Sequence, residues 1–141
     1  MRVTGISKKG NHHFKFSISS HQSGWENGYK FGVQGNHPLY AIIKNKPQKG
    51  SFPSKLSFVS VSSPFVRVTT LKKRETDNSM IIRLVEMEGK NQNVEIKLFA
   101  TVKHLYKTNL IEEKGIDLLQ SGKILNIQIG KNSIETFQLK F

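Results

Sequence analysis

The sequence predicts an all-β chain: an antiparallel two-sheet β-sandwich with extra N-terminal strands. Three observations predict it. Apolar and polar residues alternate with period two in four segments. Turn residues separate short strands at roughly 8–12-residue spacing, as in sandwich folds. Only Leu110 to Leu119 could hold a helical turn.

The elements follow in order. Phe14, Phe16 and Ile18 alternate with Lys15 and Ser17, which gives a strand near 12–18. Asn27-Gly28 and Gly35-Asn36 are turn signals, with strands expected near 29–34 and 39–45. Three of the four prolines lie between Pro38 and Pro53, among several lysines. That stretch reads as a connector or edge strand. It sets a boundary near residue 50, between a first part, 1–50, and a second, 51–141.

The second part reads as strands near 55–61, 64–73, 79–87, 92–99, 103–108, 123–129 and 133–141. Val94, Ile96 and Leu98 form one apolar row, and Leu125, Ile127 and Ile129 another. Asp77-Asn78-Ser79, Glu88-Gly89-Lys90-Asn91 and Gly130-Lys131-Asn132 supply the turns. The last strand places Phe137, Leu139 and Phe141 on one inner row. Glu135 shares their parity, so it belongs at the sheet rim or beside a basic partner, because an unpaired buried carboxylate is costly.

At 141 residues the chain is long enough for one domain, or one domain and part of another. About 70% of the unfolded surface can be buried at this size, so a core needs no staples. The chain has no cysteine. That excludes disulfide scaffolds and thiolate metal sites and fits a reducing compartment, with the cytoplasm as the expectation. No apolar run approaches the ~18 residues of a membrane span, so no membrane is expected. Met1-Arg2-Val3 leads into polar residues rather than an apolar signal segment.

The net charge is +12 and the pI about 10.0. Such a balance attracts phosphates, anionic lipid or an acidic protein surface. The lysines are spread, and the one tight cluster, Lys72-Lys73-Arg74, reads as a solvated hairpin loop.

Catalytic sets are hard to assemble. Glu86 and Glu88 are two apart on a strand, at about 7 Å between alpha carbons, whereas retaining glycosidases hold two carboxyls roughly 5 Å apart. Glu88 abuts the Gly89 turn, and solvated strand-end carboxylates are the simpler reading of the pair. Glu112 and Glu113 are adjacent and cannot share a strand face. His12 and His13 would point to opposite faces, His21 and His37 fall in expected loops, and His104 is isolated, so no metal set forms. No serine sits in a Gly-x-Ser-x-Gly elbow. Trp25, Tyr29 and Phe31 interleave with Lys30 and could stack sugars or bases, although a domain-contact role is the simpler reading.

Several phrases fall in one order: Phe65-Val66-Arg67-Val68-Thr69-Thr70-Leu71-Lys72, Ile81-Ile82-Arg83-Leu84-Val85-Glu86, Asn109-Leu110-Ile111-Glu112 and Ile134-Glu135-Thr136-Phe137-Gln138-Leu139. Together they resemble the C-terminal β-sandwich of glycoside hydrolase family 38 alpha-mannosidases. His13-Phe14-Lys15-Phe16-Ser17-Ile18 with His21 and Gly24-Trp25 resembles the closing strand of that family's preceding large β-sandwich. Asn36-His37-Pro38-Leu39 resembles its connector.

The resemblance implies a parent enzyme that cleaves alpha-mannosides with retention. Its nucleophilic carboxylate and zinc would lie in a catalytic domain that these residues do not include. It therefore implies no catalytic residue and no cofactor here. The partners it implies are the other domains of the parent chain, with mannosides as a further expected ligand and nucleic acid not expected. The alternative is a stand-alone β module that binds carbohydrate or nucleic acid.

The isolated chain is expected to show no glycosidase activity, with or without added zinc. Turnover of an aryl alpha-mannoside by the pure chain, abolished by Glu86→Gln, would overturn this.

Overall fold

A buried face on each alternating segment is what makes two sheets close on one another. The computed structural model describes residues 10–37, 39–46, 49–113 and 115–141. It divides into two compact units, residues 1–49 and 50–141.

The second unit holds eight strands: β1 (Val59–Val61), β2 (Val66–Lys73), β3 (Met80–Glu86), β4 (Gln92–Val102), β5 (His104–Thr108), β6 (Ile116–Asp117), β7 (Gly122–Ile129) and β8 (Ile134–Lys140). They form two antiparallel sheets, of order β1-β4-β7 and β2-β3-β8-β5-β6.

The predicted rows are the core. Val94, Ile96 and Leu98 on β4 face inward with Leu125, Ile127 and Ile129 on β7. From the larger sheet come Ile82, Leu84, Leu105, Phe137 and Leu139. Glu135 keeps its inner parity, and its carboxylate meets Lys107 Nζ at 2.7 Å, the basic partner that parity required. Phe141 ends its row only partly covered.

β4 and β5 are one run that changes sheets. Val102 still pairs with Gly122 of β7, then Lys103 donates its N–H to the carbonyl of Lys140, and His104 pairs with Lys140 of β8. The ladder is irregular between Lys97 and Val102. Such an irregularity bends a strand and lets it leave its sheet.

The larger sheet is buried on part of its outer face too. Ile81, Thr136 and Gln138 all lie there and are inaccessible. The segment after β5 runs across this face as a strap. Arg83 donates through Nη2 to the Leu110 carbonyl (2.9 Å) and through Nε to Thr136 Oγ1 (3.1 Å). Arg74 Nη2 donates to the Glu112 carbonyl at 2.6 Å. Lys72 Nζ meets the Glu112 carboxylate at 2.8 Å. Two members of the basic cluster are thus engaged, not simply solvated, and Glu112 is held while Glu113 stays exposed. Among the described residues of Leu110–Leu119 no helical turn forms; a turn and β6 lie there instead.

The first unit differs from the sequence reading. The stretch expected as a strand near 29–34 lies in an α-helix, α1 (Trp25–Asn36). Tyr29, Phe31 and Val33 alternate like a strand, but Trp25, Tyr29 and Val33 also recur every four residues, and the helical period prevails. Glu26 in the first turn suits the helix dipole, and the His37 N–H closes the last turn on the Val33 carbonyl. Among the described residues, no strand forms near 12–18 or 39–45, and Phe14, Phe16, Ile18, Leu39, Ile42 and Ile43 are exposed. Alternation prepares one face for burial, but a strand also needs a neighbour for its ladder. Here none is supplied.

Phe137 is fully enclosed. Phe137→Ala is expected to cost about 3–5 kcal/mol in chemical denaturation. Phe141→Ala, at the partly open end of the same row, is expected to cost far less.

Candidate functional site

Two groups of side chains invite a functional reading: the aromatics of α1 and the carboxylates at the end of β3. Each lies within one unit.

On α1, residues four apart share a face. The Trp25 and Tyr29 rings lie 5.6 Å apart, tilted at 55°. Phe31 stands on the other side of the Gly28–Gly32 line, as 3.6 residues per turn requires. Trp25, Tyr29 and Phe31 line one cavity of about 560 Å³, together with Ile18, His21 and Gly28. A side chain at Gly28 would run into the His21 imidazole, so this glycine lets the preceding segment approach the helix. His21 Nδ1 also bonds the Gln22 carbonyl at 2.7 Å. The structure therefore brings the three predicted aromatics together on a helix, not on strands.

The carboxylates tell a different story. Glu86 is 3% exposed, so it is not a solvated strand end. One oxygen accepts from the Glu88 N–H (2.8 Å) and from Gln92 Nε2 (3.0 Å). The other accepts from the N–H groups of Gly89 (2.9 Å) and Asn132 (2.8 Å). Burial pushes its carboxyl up, but the backbone donors of Asn132, Glu88 and Gly89 and the Gln92 amide outweigh that and hold it at about 2. Gly89 takes φ +79°, a left-handed turn that a side chain would strain, and this aims its N–H at the carboxylate.

A general acid needs a raised pKa, and a nucleophile needs an accessible oxygen. Glu86 has neither. Glu88 pairs with Lys90 at 2.5 Å on the surface. The geometry makes Glu86 a structural acceptor. The sequence shows the residue but not its partner Asn132, which lies 46 positions away.

A second such network closes the β2–β3 turn. Asp77 accepts from the Ser79 hydroxyl and N–H, and it is held at about 2 chiefly by the Ser79 hydroxyl and then its N–H, with Arg74 adding to them against the effect of burial. Gln138 Nε2 donates both to Asp77 (3.1 Å) and to Ser79 Oγ (2.8 Å).

Among the described residues, no group of three or more His, Asp or Glu could hold a metal ion. Nor is any helix in them long and apolar enough to cross a membrane.

Two antiparallel sheets closed on one core, with a buried carboxylate that bonds its own turns, define the class: a β-sandwich module. Residues 66–137 match the glycosyl hydrolases family 38 C-terminal beta sandwich domain. The chain belongs to this family. The match runs from the first residue of β2 into β8, and so takes in the strap and the turns that Asp77 and Glu86 hold. No curated protein matches the chain.

The two depressed carboxyls fix the acid behaviour. Each binds its proton more weakly folded than unfolded, so their stabilisation is fully present above about pH 4.5 and is lost as pH falls toward 2. Thermal melting from pH 7 to pH 2 should show this falling limb. Glu86→Gln should lower the melting temperature at pH 7 and flatten the limb.

Proposed function

We propose that this chain is the non-catalytic C-terminal β-sandwich module of a retaining alpha-mannosidase. It packs on the other domains of its parent and supports the catalytic domain. The observation that carries this is the match of residues 66–137, which coincides with a closed sandwich in which Glu86 and Asp77 are committed to its own turns. Hydrolysis of alpha-mannosides, and zinc with it, belongs to the parent's catalytic domain.

The first unit adds support. Phe14, Phe16 and Ile18 form a strand-like apolar row that lies exposed, with no ladder partner among the described residues. Such a row suits the closing strand of a neighbouring sandwich, completed only by the parent's other strands. In this reading 1–50 is the end of that preceding domain with its connector, and 51–141 is the C-terminal sandwich. Trp25, Tyr29 and Phe31 offer the domain contact, or a stacking platform for distal sugars. The absence of cysteine fits a reducing compartment, and we assign the chain to the cytoplasm.

A stand-alone carbohydrate- or nucleic-acid-binding module is the alternative, favoured by the net charge of +12. Salt separates the readings. The catalytic region of the parent, expressed separately, should bind the chain, and the binding should weaken with Trp25→Ala. No binding at low salt, with both pieces folded, would leave the alternative ahead. Tight binding to single-stranded DNA that collapses between 50 and 200 mM salt, on the order of a thousandfold or more, would point the same way.

A further inference from the structure

Four phenylalanines of the sandwich unit form a continuous row at one end of the smaller sheet. Successive ring centroids of Phe52, Phe58, Phe99 and Phe141 lie 6.3, 5.2 and 5.7 Å apart. Phe58, just before β1, lies opposite Phe99 of β4, where the Phe99 N–H donates to the Phe58 carbonyl at 3.1 Å. Phe52, Phe58 and Phe141 are exposed, with Leu56 beside them. Beside the row lies a cavity of about 360 Å³ lined by Leu56, Ser60 and Phe99 and by three lysines, Lys55, Lys97 and Lys123. None of the three lysines has an acidic partner among the described residues, and no carboxylate lines the cavity.

An exposed aromatic row is costly to leave in water and marks a contact surface. Its composition resembles the middle of an interface, aromatic at the centre and charged at the rim. The charge selects the occupant. A second copy of the chain carries +12 and would set lysine against lysine. The N-terminal stretch is no better: residues 1–49 hold eight Lys or Arg and one acid, Glu26.

We infer that the Phe58–Phe99 row with Lys55, Lys97 and Lys123 is the surface on which an acidic segment of the parent's catalytic domain docks. This rests on the reading of the chain as a module of a larger enzyme, and it identifies the face used. The docking segment carries an apolar anchor, which covers Phe58 and Phe99, flanked by Asp or Glu, which neutralise the lysines.

Lysine acylation by a small reagent, read by mass spectrometry, tests it on the intact parent enzyme and on the 141-residue chain alone. Lys55, Lys97 and Lys123 should label at least fivefold more slowly in the parent, while Lys131, at the β7–β8 turn, labels alike in both. A carbodiimide should join Lys97 or Lys123 to an Asp or Glu of the catalytic domain. Phe58→Ser with Lys97→Glu should remove that cross-link and the slowed labelling without altering the chain's circular dichroism. Equal labelling of the three lysines, with other faces of the module protected, would overturn the surface and leave the module reading standing. A native gene product that consists of these 141 residues alone would overturn both. A heparin hexasaccharide that slows labelling of the same lysines as fully as the parent does would reassign the row to polyanion binding.

Discussion

One carboxylate holds the two sheets in register at one end of the sandwich. The β3–β4 turn carries the chain from the larger sheet to the smaller, and the β7–β8 turn carries it back. Glu86 bonds both: Glu88 and Gly89 belong to the first turn, Asn132 to the second. Such a buried anion is stable only because every lone-pair direction has a donor. The arrangement therefore specifies more than it attracts. A register slip on β3 by one residue would turn Glu86 outward and leave three backbone N–H groups without their acceptor. The inner rows of Ile82, Leu84, Phe137 and Leu139 would be lost by the same slip, so hydrophobic pattern and hydrogen bonding select one register together.

Most of the sandwich was legible in the sequence because its strands are half-buried. Val94-Glu95-Ile96-Lys97-Leu98 shows its inner face directly, and so does Leu125 to Ile129. Where both faces are covered the pattern misleads: the last strand alternates too, yet its polar Thr136 and Gln138 are as buried as Phe137 and Leu139, and nothing in the alternation announces that Gln138 bonds Asp77 and Ser79. The helix was misread because Tyr29, Phe31 and Val33 satisfy two periods at once. Phe14 to Ile18 and Leu39 to Ile43 carry a strand's alternation or apolar content without a strand's neighbours, and periodicity reports only the former.

The candidate sites divide along the same line. Trp25, Tyr29 and Phe31 could be picked out because aromatics beside a basic residue are conspicuous in any chain. The Phe52–Phe58–Phe99–Phe141 row could not. Its members are spread over some ninety positions and meet only once β1 pairs with β4 and β8 ends beside them. Glu86 was noticed as a possible acid for the wrong reason: its spacing from Glu88 suggested chemistry, whereas its donors lie at a turn that no local spacing reveals. Carboxylate spacing along a strand tells where oxygens can be, and only the fold tells whether protons can reach them.

The strap after β5 has a mechanical consequence. It leaves one side of the larger sheet, passes β8 and β3, and ends at Lys72 on β2. At its far end Glu112 adopts φ +67°, a conformation without local preference for this residue type, and contacts with Lys72, Arg74 and Arg83 hold it there together with its own N–H bond to the Asn109 carbonyl. The strap thereby acts as a tie-bar across four strands. β2 is an edge strand and would otherwise be the first to fray, yet it cannot peel away without also releasing the loop that leaves β5. Opening at either flank is transmitted to the other, and the sheet is made to come apart as a single cooperative unit rather than strand by strand.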